Sequence, residues 1–359
     1  MPRRFPLHLG IFAVMALSNA IVPILPSYGT GPFFQSAIYA AYFLGAFATV
    51  IPAGMLSDRV GRLPVIRAGL LLTLLAGVLI LAFPSPFSVL GARVLEGVGA
   101  GLFVAAGMAL VNSQPDHESL SGIFMGALNA GLVVGLLATG SIDRAMDRET
   151  GGILLFTILS AAPLLFTIIL VEDATLRRPE AAFPQLIRDY VWLFLSAVIL
   201  VGMTGAVTAI YPGFTGGDPA ALATALALMH LATIGAVVVA SRLHLPPVPT
   251  LQAASLAMVA GILAVMASPL AFLAVGAIAG VVMIAQMAFL GATGFRQGRV
   301  MGLYNASSYL GMTILPALAG ITAEHLSFTA AFLAVAALNL VVTGTIGRCA
   351  CRLPQSQKN

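Results

Sequence analysis

Twelve stretches of roughly 18 to 25 residues in this chain run with almost no charge, and that is the length an α-helix needs to cross the hydrocarbon core of a bilayer. They fall at 7–26, 33–56, 64–83, 86–112, 119–141, 152–171, 190–211, 219–240, 246–267, 270–291, 298–321 and 326–347. Inside hydrocarbon each backbone N–H and C=O must find its partner within the segment, so each stretch reads as a helix. Only 8% of the 359 residues are charged and the mean hydropathy is +1.01, against roughly 25% charged residues in soluble domains. The expected fold is an all-α integral membrane protein with twelve transmembrane helices.

The inventory also excludes functions. The one lysine, Lys358, lies in the tail, so neither a phosphate-cradling Walker lysine nor a Schiff-base lysine is available inside the fold. No enzyme activity, cofactor or metal is expected. Cys349 and Cys351 stand together just past the last apolar run and cannot staple the fold. The first apolar run could imitate a signal peptide ending near Ser18-Asn19-Ala20, but it stays apolar to Pro26, so an uncleaved first helix is expected.

The net charge of +4 is explained by where the cations sit. With the N-terminus inside, one face receives Arg3, Arg4, Arg59, Arg62, Arg67, Arg177, Arg178, Arg188, Arg242, Arg296, Arg299, Arg348, Arg352 and Lys358. The other receives Arg144 and Arg148. That bias predicts cytoplasmic N- and C-termini in a plasma membrane, prokaryotic by the short loops, and no nucleic-acid partner.

The longest polar break, Glu172 to Asp189, separates the spans into six and six. The expected organisation is an N-terminal half at 1–171, a cytoplasmic linker at 172–189, a C-terminal half at 190–347 and a tail at 348–359. An internal repeat agrees. Met125-Gly126-Ala127-Leu128-Asn129-Ala130 with Gly135 matches Met301-Gly302-Leu303-Tyr304-Asn305-Ala306 with Gly311, at a constant offset of 176 residues, as two parallel six-helix repeats require.

Between spans two and three the chain reads Gly54-Met55-Leu56-Ser57-Asp58-Arg59-Val60-Gly61-Arg62. This resembles the G-x-L-x-D-R-x-G-R loop signature of the major facilitator superfamily. Span four carries Arg93-Val94-Leu95-Glu96-Gly97-Val98-Gly99-Ala100, similar to that superfamily's R-x-x-Q-G-x-G-A motif with Glu96 in the glutamine position. Pro23-Ile24-Leu25-Pro26 resembles the P-x-L-P ending of span one in the twelve-span drug:proton antiporter group. In span five, Gly122, Gly131, Gly135 and Gly140 approximate that group's glycine spacing, while Leu136 stands where proline is usual and Thr139 replaces a further glycine.

The resemblance implies two pseudo-symmetric six-helix halves and transport by alternating access. It also implies a conformational latch built from Gly54, Asp58, Arg59, Gly61 and Arg62, with Asp58 meeting the start of span eleven near Gly298 and Arg299. The second half's loop at Ala240-Ser241-Arg242 has no acid or glycine, so the latch would be one-sided.

Polar groups singled out within the spans are Asn19, Arg93, Glu96, Asn129, His230, Gln286 and Asn305, besides hydroxyls and Tyr39, Tyr42, Tyr304 and Tyr309. A charge near a helix centre costs about 2.5–3.5 kcal/mol on insertion scales, so Arg93 and Glu96 should avoid lipid; three residues apart, they share a helix face. Two readings stand. In one, Arg93 lines a cavity and Glu96 exchanges a proton or contacts substrate; in the other, the two form a buried structural bridge. His230 is either a second proton site or a packing residue.

Asn129 and Asn305 are expected to hydrogen-bond across helices, packing with Gly131, Gly135 and Gly311; the sequon at Asn305 lies in a span and is expected to be unused. By the resemblance, Asn19 and Gln286 border the substrate cavity. Met203, Met283, Met287 and Phe289 would give it an apolar wall suited to hydrophobic ligands of varied shape.

The expected function is proton-coupled export of small hydrophobic or amphipathic compounds by a monomer whose partners are its substrate, protons and membrane lipids. The alternatives are uptake of a small metabolite or carboxylate, and a non-transporting membrane sensor with the same fold.

Overall fold

A computed structural model describes residues 5–28, 31–114, 117–146, 150–167, 183–243, 245–293 and 297–348; the side chains of 117–119, 143–146, 183–185 and 297–299 fall outside the description. Among the described residues, eleven helices are long and apolar enough to cross a membrane. The first span is α1 (Phe5–Ala20), a 3₁₀ turn (Val22–Ile24) and a last turn α2 (Leu25–Tyr28). It bends there because Pro23 and Pro26 supply no N–H to the helical ladder. Then come α3 (Pro32–Val60), α4 (Arg62–Ala82), α5 (Pro86–Asn112), α6 (His117–Met146) and α7 (Gly151–Phe166). Helix α7 is the shorter apolar helix at the sixth expected position.

A short helix α8 (Phe183–Asp189) precedes α9 (Val191–Thr215), α10 (Pro219–Ala240), α11 (Pro247–Val265), α12 (Ala271–Gly291), α13 (Gln297–His325) and α14 (Phe328–Thr345). Large apolar side chains such as Ile158, Leu165, Val239 and Leu270 are exposed, as expected of helices whose outer faces meet lipid.

The loop expected between spans two and three shrinks to one residue. Helix α3 continues through Asp58 and Arg59, and only Gly61, at φ 93° and ψ 160°, breaks the run. Helix α3 carries Pro52 within it and still runs on to Val60, and at Gly61 an L-residue is strongly disfavoured in that backbone region. Helix α13 likewise runs on to His325, which places Glu324 on its final turn.

The chain forms two compact units. One comprises Met1–Thr30, Ile38–Glu180 and Thr215–Ala227; the other comprises Gly31–Ala37, Ala181–Phe214 and Leu228–Asn359.

In the first unit, α1, α4, α5 and α6 enclose Ile11, Val14, Ile66, Leu70, Phe103 and Phe124, with the last two rings stacked at 6.5 Å. Helices α4 and α5 touch backbone to backbone: a Cβ at Gly69 would stand 2.7 Å from the Gly99 oxygen, and one at Gly99 would stand 2.7 Å from the Gly69 oxygen. Arg67 donates to the Thr167 carbonyl (2.8 Å) beyond the end of α7, where a cation complements the helix dipole.

In the second unit, Tyr211 meets Phe272 edge-on at 4.7 Å and Phe214 packs against Phe328 and Phe332. Its segment Gly31–Ala37 opens α3, and the Phe33 N–H donates to Glu324 Oε2 (3.0 Å). A carboxylate there caps the free N–H groups and suits the positive end of the helix.

The two units repeat the same internal seams. Gly135 on α6 lies against the Ala16 backbone of α1, and Gly311 on α13 lies against the Val198 backbone of α9. Gly97 and Gly101 on α5 pack on Tyr42 and Ala46 of α3; Gly276 and Gly280 on α12 pack on Met229 and Thr233 of α10. Small residues four apart let membrane helices approach this closely. The fold is that of an all-α membrane protein with pseudo-symmetric six-helix halves.

Candidate functional site

Helix α5 starts on Ser85, whose Oγ accepts the Ser88 N–H (3.4 Å), with Pro86 in the first turn. Two turns further, Arg93 Nη1 donates to Glu96 Oε2 at 2.6 Å, and the side chains are 1% and 0% exposed. This is a charge-assisted bond at the short end of its range. The guanidinium carbon lies 4.8 Å from the centre of the Tyr42 ring on α3, close enough for a cation–π interaction.

The sequence explains why these groups meet. Gly97 follows Glu96 directly, and a Cβ there would collide with the Tyr42 carbonyl oxygen; Gly45 makes the reciprocal contact with Val94. The missing side chains bring α3 onto α5 and put the Tyr42 ring over the arginine. Arg93 Nε and Glu96 Oε1 are buried and have no hydrogen-bond partner among the described residues.

The repeat supplies an internal comparison. Gly97 and Gly101 correspond to Gly276 and Gly280 at an offset of 179 residues, and the same offset carries Arg93 to Phe272 and Glu96 to Val275. Phe272 and Val275 are both fully buried. Packing at this position of the fold is therefore met by apolar residues, and the charges in the first unit are an addition to it.

Gln286, on α12, is fully buried with both ends of its amide engaged. Nε2 donates to Ser196 Oγ (3.1 Å) on α9, and Oε1 accepts from the Tyr304 hydroxyl (3.0 Å) on α13. Asn19 donates to the Leu132 carbonyl (3.2 Å), joining α1 to α6. Asn129 was expected to bond across helices, yet its Nδ2 donates to the Met125 carbonyl of its own helix (2.8 Å), a local bond that a short amide side chain reaches easily. Met203 is fully buried, while His230, Met283, Met287 and Asn305 are half-buried.

Of the expected latch, Gly61 makes the turn, and Arg62 Nη1 donates to Ser113 Oγ (2.5 Å) at the end of α5. Gly54 has nothing within 4 Å of where a Cβ would stand. Asp58 is half-buried and Arg59 exposed; the side chains of the expected partners Gly298 and Arg299 lie outside the described residues.

Several polar contacts went unread in the sequence: the Arg67 bond to Thr167, the Gln252 bond to the Thr343 carbonyl (3.2 Å), and the fully buried Asn339. Gln252 and Asn339 could have been found by extending the search for amides through spans nine and twelve. Among the described residues, no three His, Cys, Asp or Glu side chains converge as a metal site.

Two sets of apolar spans with repeated glycine seams, and a charge pair buried in one of them, mark a polytopic membrane protein. The sequence profile described as the Major Facilitator Superfamily matches residues 7–305, and the chain belongs to that superfamily.

Among curated proteins it is 33% identical over 189 residues to the multi-drug resistance efflux pump PmrA of Streptococcus pneumoniae, covering 49% of this chain and 46% of that protein. It is 29% identical over 143 residues to the puromycin resistance protein pur8 of Streptomyces alboniger, covering 37% of this chain and 28% of that one. The chain thus spans less than half the length of these relatives. Among solved structures, the human organic anion transporter MFSD10 superposes with a TM-score of 0.70 at 16% identity, covering 96% of this chain and 99% of that chain. A bacterial homologue of the lysosomal transporter Spinster, inward-facing and unoccupied, gives 0.73 at 14% identity, covering 98% and 97%. At these identities the likeness is one of fold.

Proposed function

We propose that this transporter exports small hydrophobic or amphipathic compounds in exchange for protons, with Arg93 and Glu96 as the coupling site. One observation carries the reading: a fully buried ion pair stands at a position the other repeat fills with Phe272 and Val275. Each charge costs about 2.5–3.5 kcal/mol to place in the membrane interior, and the fold does not require either. Glu96 holds an acceptor oxygen with no hydrogen-bond partner among the described residues, which is where a proton would be received. Protonation would release Arg93 from its carboxylate partner Glu96 and free it for a substrate or water.

The export direction draws on the efflux and resistance proteins with which the chain shares about a third or somewhat less of its aligned residues. In this reading the halves 1–171 and 190–347, joined by 172–189, rock about a central binding region. The basic bias of alternate loops favours cytoplasmic termini in the plasma membrane. Asn19, Gln286, Met203, Met283 and Met287 remain the proposed cavity residues, His230 the second coupling group, and Gly54, Asp58, Arg59, Gly61 and Arg62 the latch. Monomeric operation is part of the same proposal.

The test is dye or drug flux in proteoliposomes under an imposed pH gradient, with Glu96→Gln beside the natural chain. Flux driven by the gradient should vanish in the variant while substrate still shifts its thermal unfolding. Unchanged coupling removes Glu96 from the mechanism. Saturable uptake of a carboxylate by the natural chain, without drug efflux, replaces export with import.

A further inference from the structure

A polar relay joins three helices of the second unit, and its bonds fix the direction in which each hydrogen points. The Ser196 hydroxyl on α9 donates to the Leu193 carbonyl of its own helix (2.7 Å), so toward Gln286 it can only accept. Gln286 Nε2 on α12 supplies that bond (3.1 Å), which leaves the amide oxygen for α13. There Oε1 accepts from the Tyr304 hydroxyl (3.0 Å). A phenol carries one hydrogen. With it committed to Gln286, the Tyr304 oxygen can meet any further group only as an acceptor.

The relay reaches accessible space at its Tyr304 end. Ser196 and Gln286 are 1% and 0% exposed, whereas Tyr304 is 7% exposed and Ser308, one turn further along the same face of α13, is 9% exposed. Ser308 lies near enough to act on the phenol, yet its Oγ has no hydrogen-bond partner of good geometry among the described residues. A buried hydroxyl in that state weakens a fold unless something binds it. Two oxygens able to accept therefore stand together where the relay ends.

The first unit shows that packing does not call for these groups. The glycine seams pair Ala16 with Val198, Gly97 with Gly276 and Gly135 with Gly311, at offsets of 182, 179 and 176 residues. The same offsets carry Ser196 to Val14, Gln286 to Gly107, Tyr304 to Leu128 and Ser308 to Leu132. Val14, Leu128 and Leu132 belong to the apolar core of the first unit or pack against it.

We propose that Tyr304 and Ser308 form a subsite that selects the cargo by accepting hydrogen bonds from a hydroxyl or N–H group on an otherwise apolar compound. The subsite deepens the reading of this chain as a carrier of amphipathic compounds and rests on it. A compound that offers only acceptors, such as an ether or an ester, leaves both oxygens unpaired, and unpaired buried groups are what let a site reject an analogue of the same shape. The relay behind the phenol holds it in place before a ligand arrives, which lowers the ordering cost of binding.

Fluorescence polarisation on the purified full-length protein compares two cationic dyes: a rhodamine methyl ester with two free amino groups, and tetramethylrhodamine methyl ester, in which a methyl group replaces every N–H. The tetramethyl dye is the more apolar, so burial alone favours it. The amino dye should nevertheless bind the natural chain roughly two- to ten-fold more tightly, the factor that one net hydrogen bond supplies. Tyr304→Phe should abolish that preference and Ser308→Ala should reduce it, while the affinity of either variant for the tetramethyl dye stays unchanged and shows that the variant is folded. Equal affinities in the natural chain, tighter binding of the tetramethyl dye, no saturable binding of either dye, or a preference that survives both substitutions overturns the proposal. No pH gradient is applied. Failure of the coupling role of Glu96 would leave the dye preference in place, and loss of the preference would leave gradient-driven flux and its dependence on Glu96 in place, so the two failures are distinguishable.

Discussion

Replacing Gly311 by alanine tests whether backbone contact governs the packing of each half. An ideal Cβ at Gly311 would lie 2.8 Å from the Val198 carbonyl carbon and 2.9 Å from its Cα, with the oxygen nearer still, whereas ordinary contact begins near 3.4 Å. Relief therefore requires α13 and α9 to part by at least about 0.6 Å, and because the obstacle is backbone, no rotamer change can supply it. Forced separation of packed elements costs roughly 1–3 kcal/mol.

Alanine also gains up to about 1 kcal/mol over glycine in a helix, which would blur the result for one variant alone. Gly302, on the same helix, has nothing within 4 Å of its Cβ position. Gly302→Ala collects the helical gain without the clash. The two variants should consequently differ by about 1–3 kcal/mol, or roughly 1–4 °C in thermal midpoint for a chain of this length. The repeat provides a replicate, since Gly135 is crowded by Ala16 while Gly126 stands in open space. The assay is loss of monodisperse protein in detergent across a temperature series at one fixed heating rate. If Gly302→Ala lowers the midpoint as much as Gly311→Ala, close backbone approach is not what these glycines serve.

Two further outcomes follow from the same geometry. Gly61→Ala should cost about 1–3 kcal/mol, because φ 93° with ψ 160° is nearly closed to other residues; urea or thermal unfolding measures it, and a loss no larger than that of Gly54→Ala, made in open space, would refute the strain. Gln286→Leu should cost about 1–3 kcal/mol by leaving the buried Tyr304 hydroxyl without its acceptor. In a double-mutant cycle Tyr304→Phe should then cost less on the Gln286→Leu background than alone, and additive losses would show that the two do not interact.

Much of the fold was legible because its main determinant is one-dimensional. A run of apolar residues states that a helix crosses the membrane, so the edges of α5 and α10 coincide with those expected from the chain. The 176-residue repeat was legible for the same reason, and it marks real equivalence at Gly135 and Gly311.

What could not be read is which helices touch. Nothing in the spacing of Arg93 and Glu96 announces Tyr42, which lies on another helix and arrives there through Gly45 and Gly97. Gly276 and Gly280 look like ordinary membrane glycines until they meet Met229 and Thr233. Gln286 was expected at the cavity by resemblance, and nothing around it in the sequence announced its hydrogen bonds to Ser196 and Tyr304, partners 90 and 18 residues away. The extent of α3 was missed because a motif known as a loop invites a loop. Only the dihedral angles of Gly61 show how little of it is one.

The glycine seams also have a mechanical consequence. Where two helices meet through side chains, a compliant layer lies between them and can shear as rotamers change. Between α3 and α5, and again between α10 and α12, the backbones of Tyr42 and Gly97 and of Met229 and Gly276 meet directly, and that layer is absent at the crossing. Each pair should therefore bend and translate as a single stiff beam, so the smallest moving part in either half is a pair of spans rather than one helix.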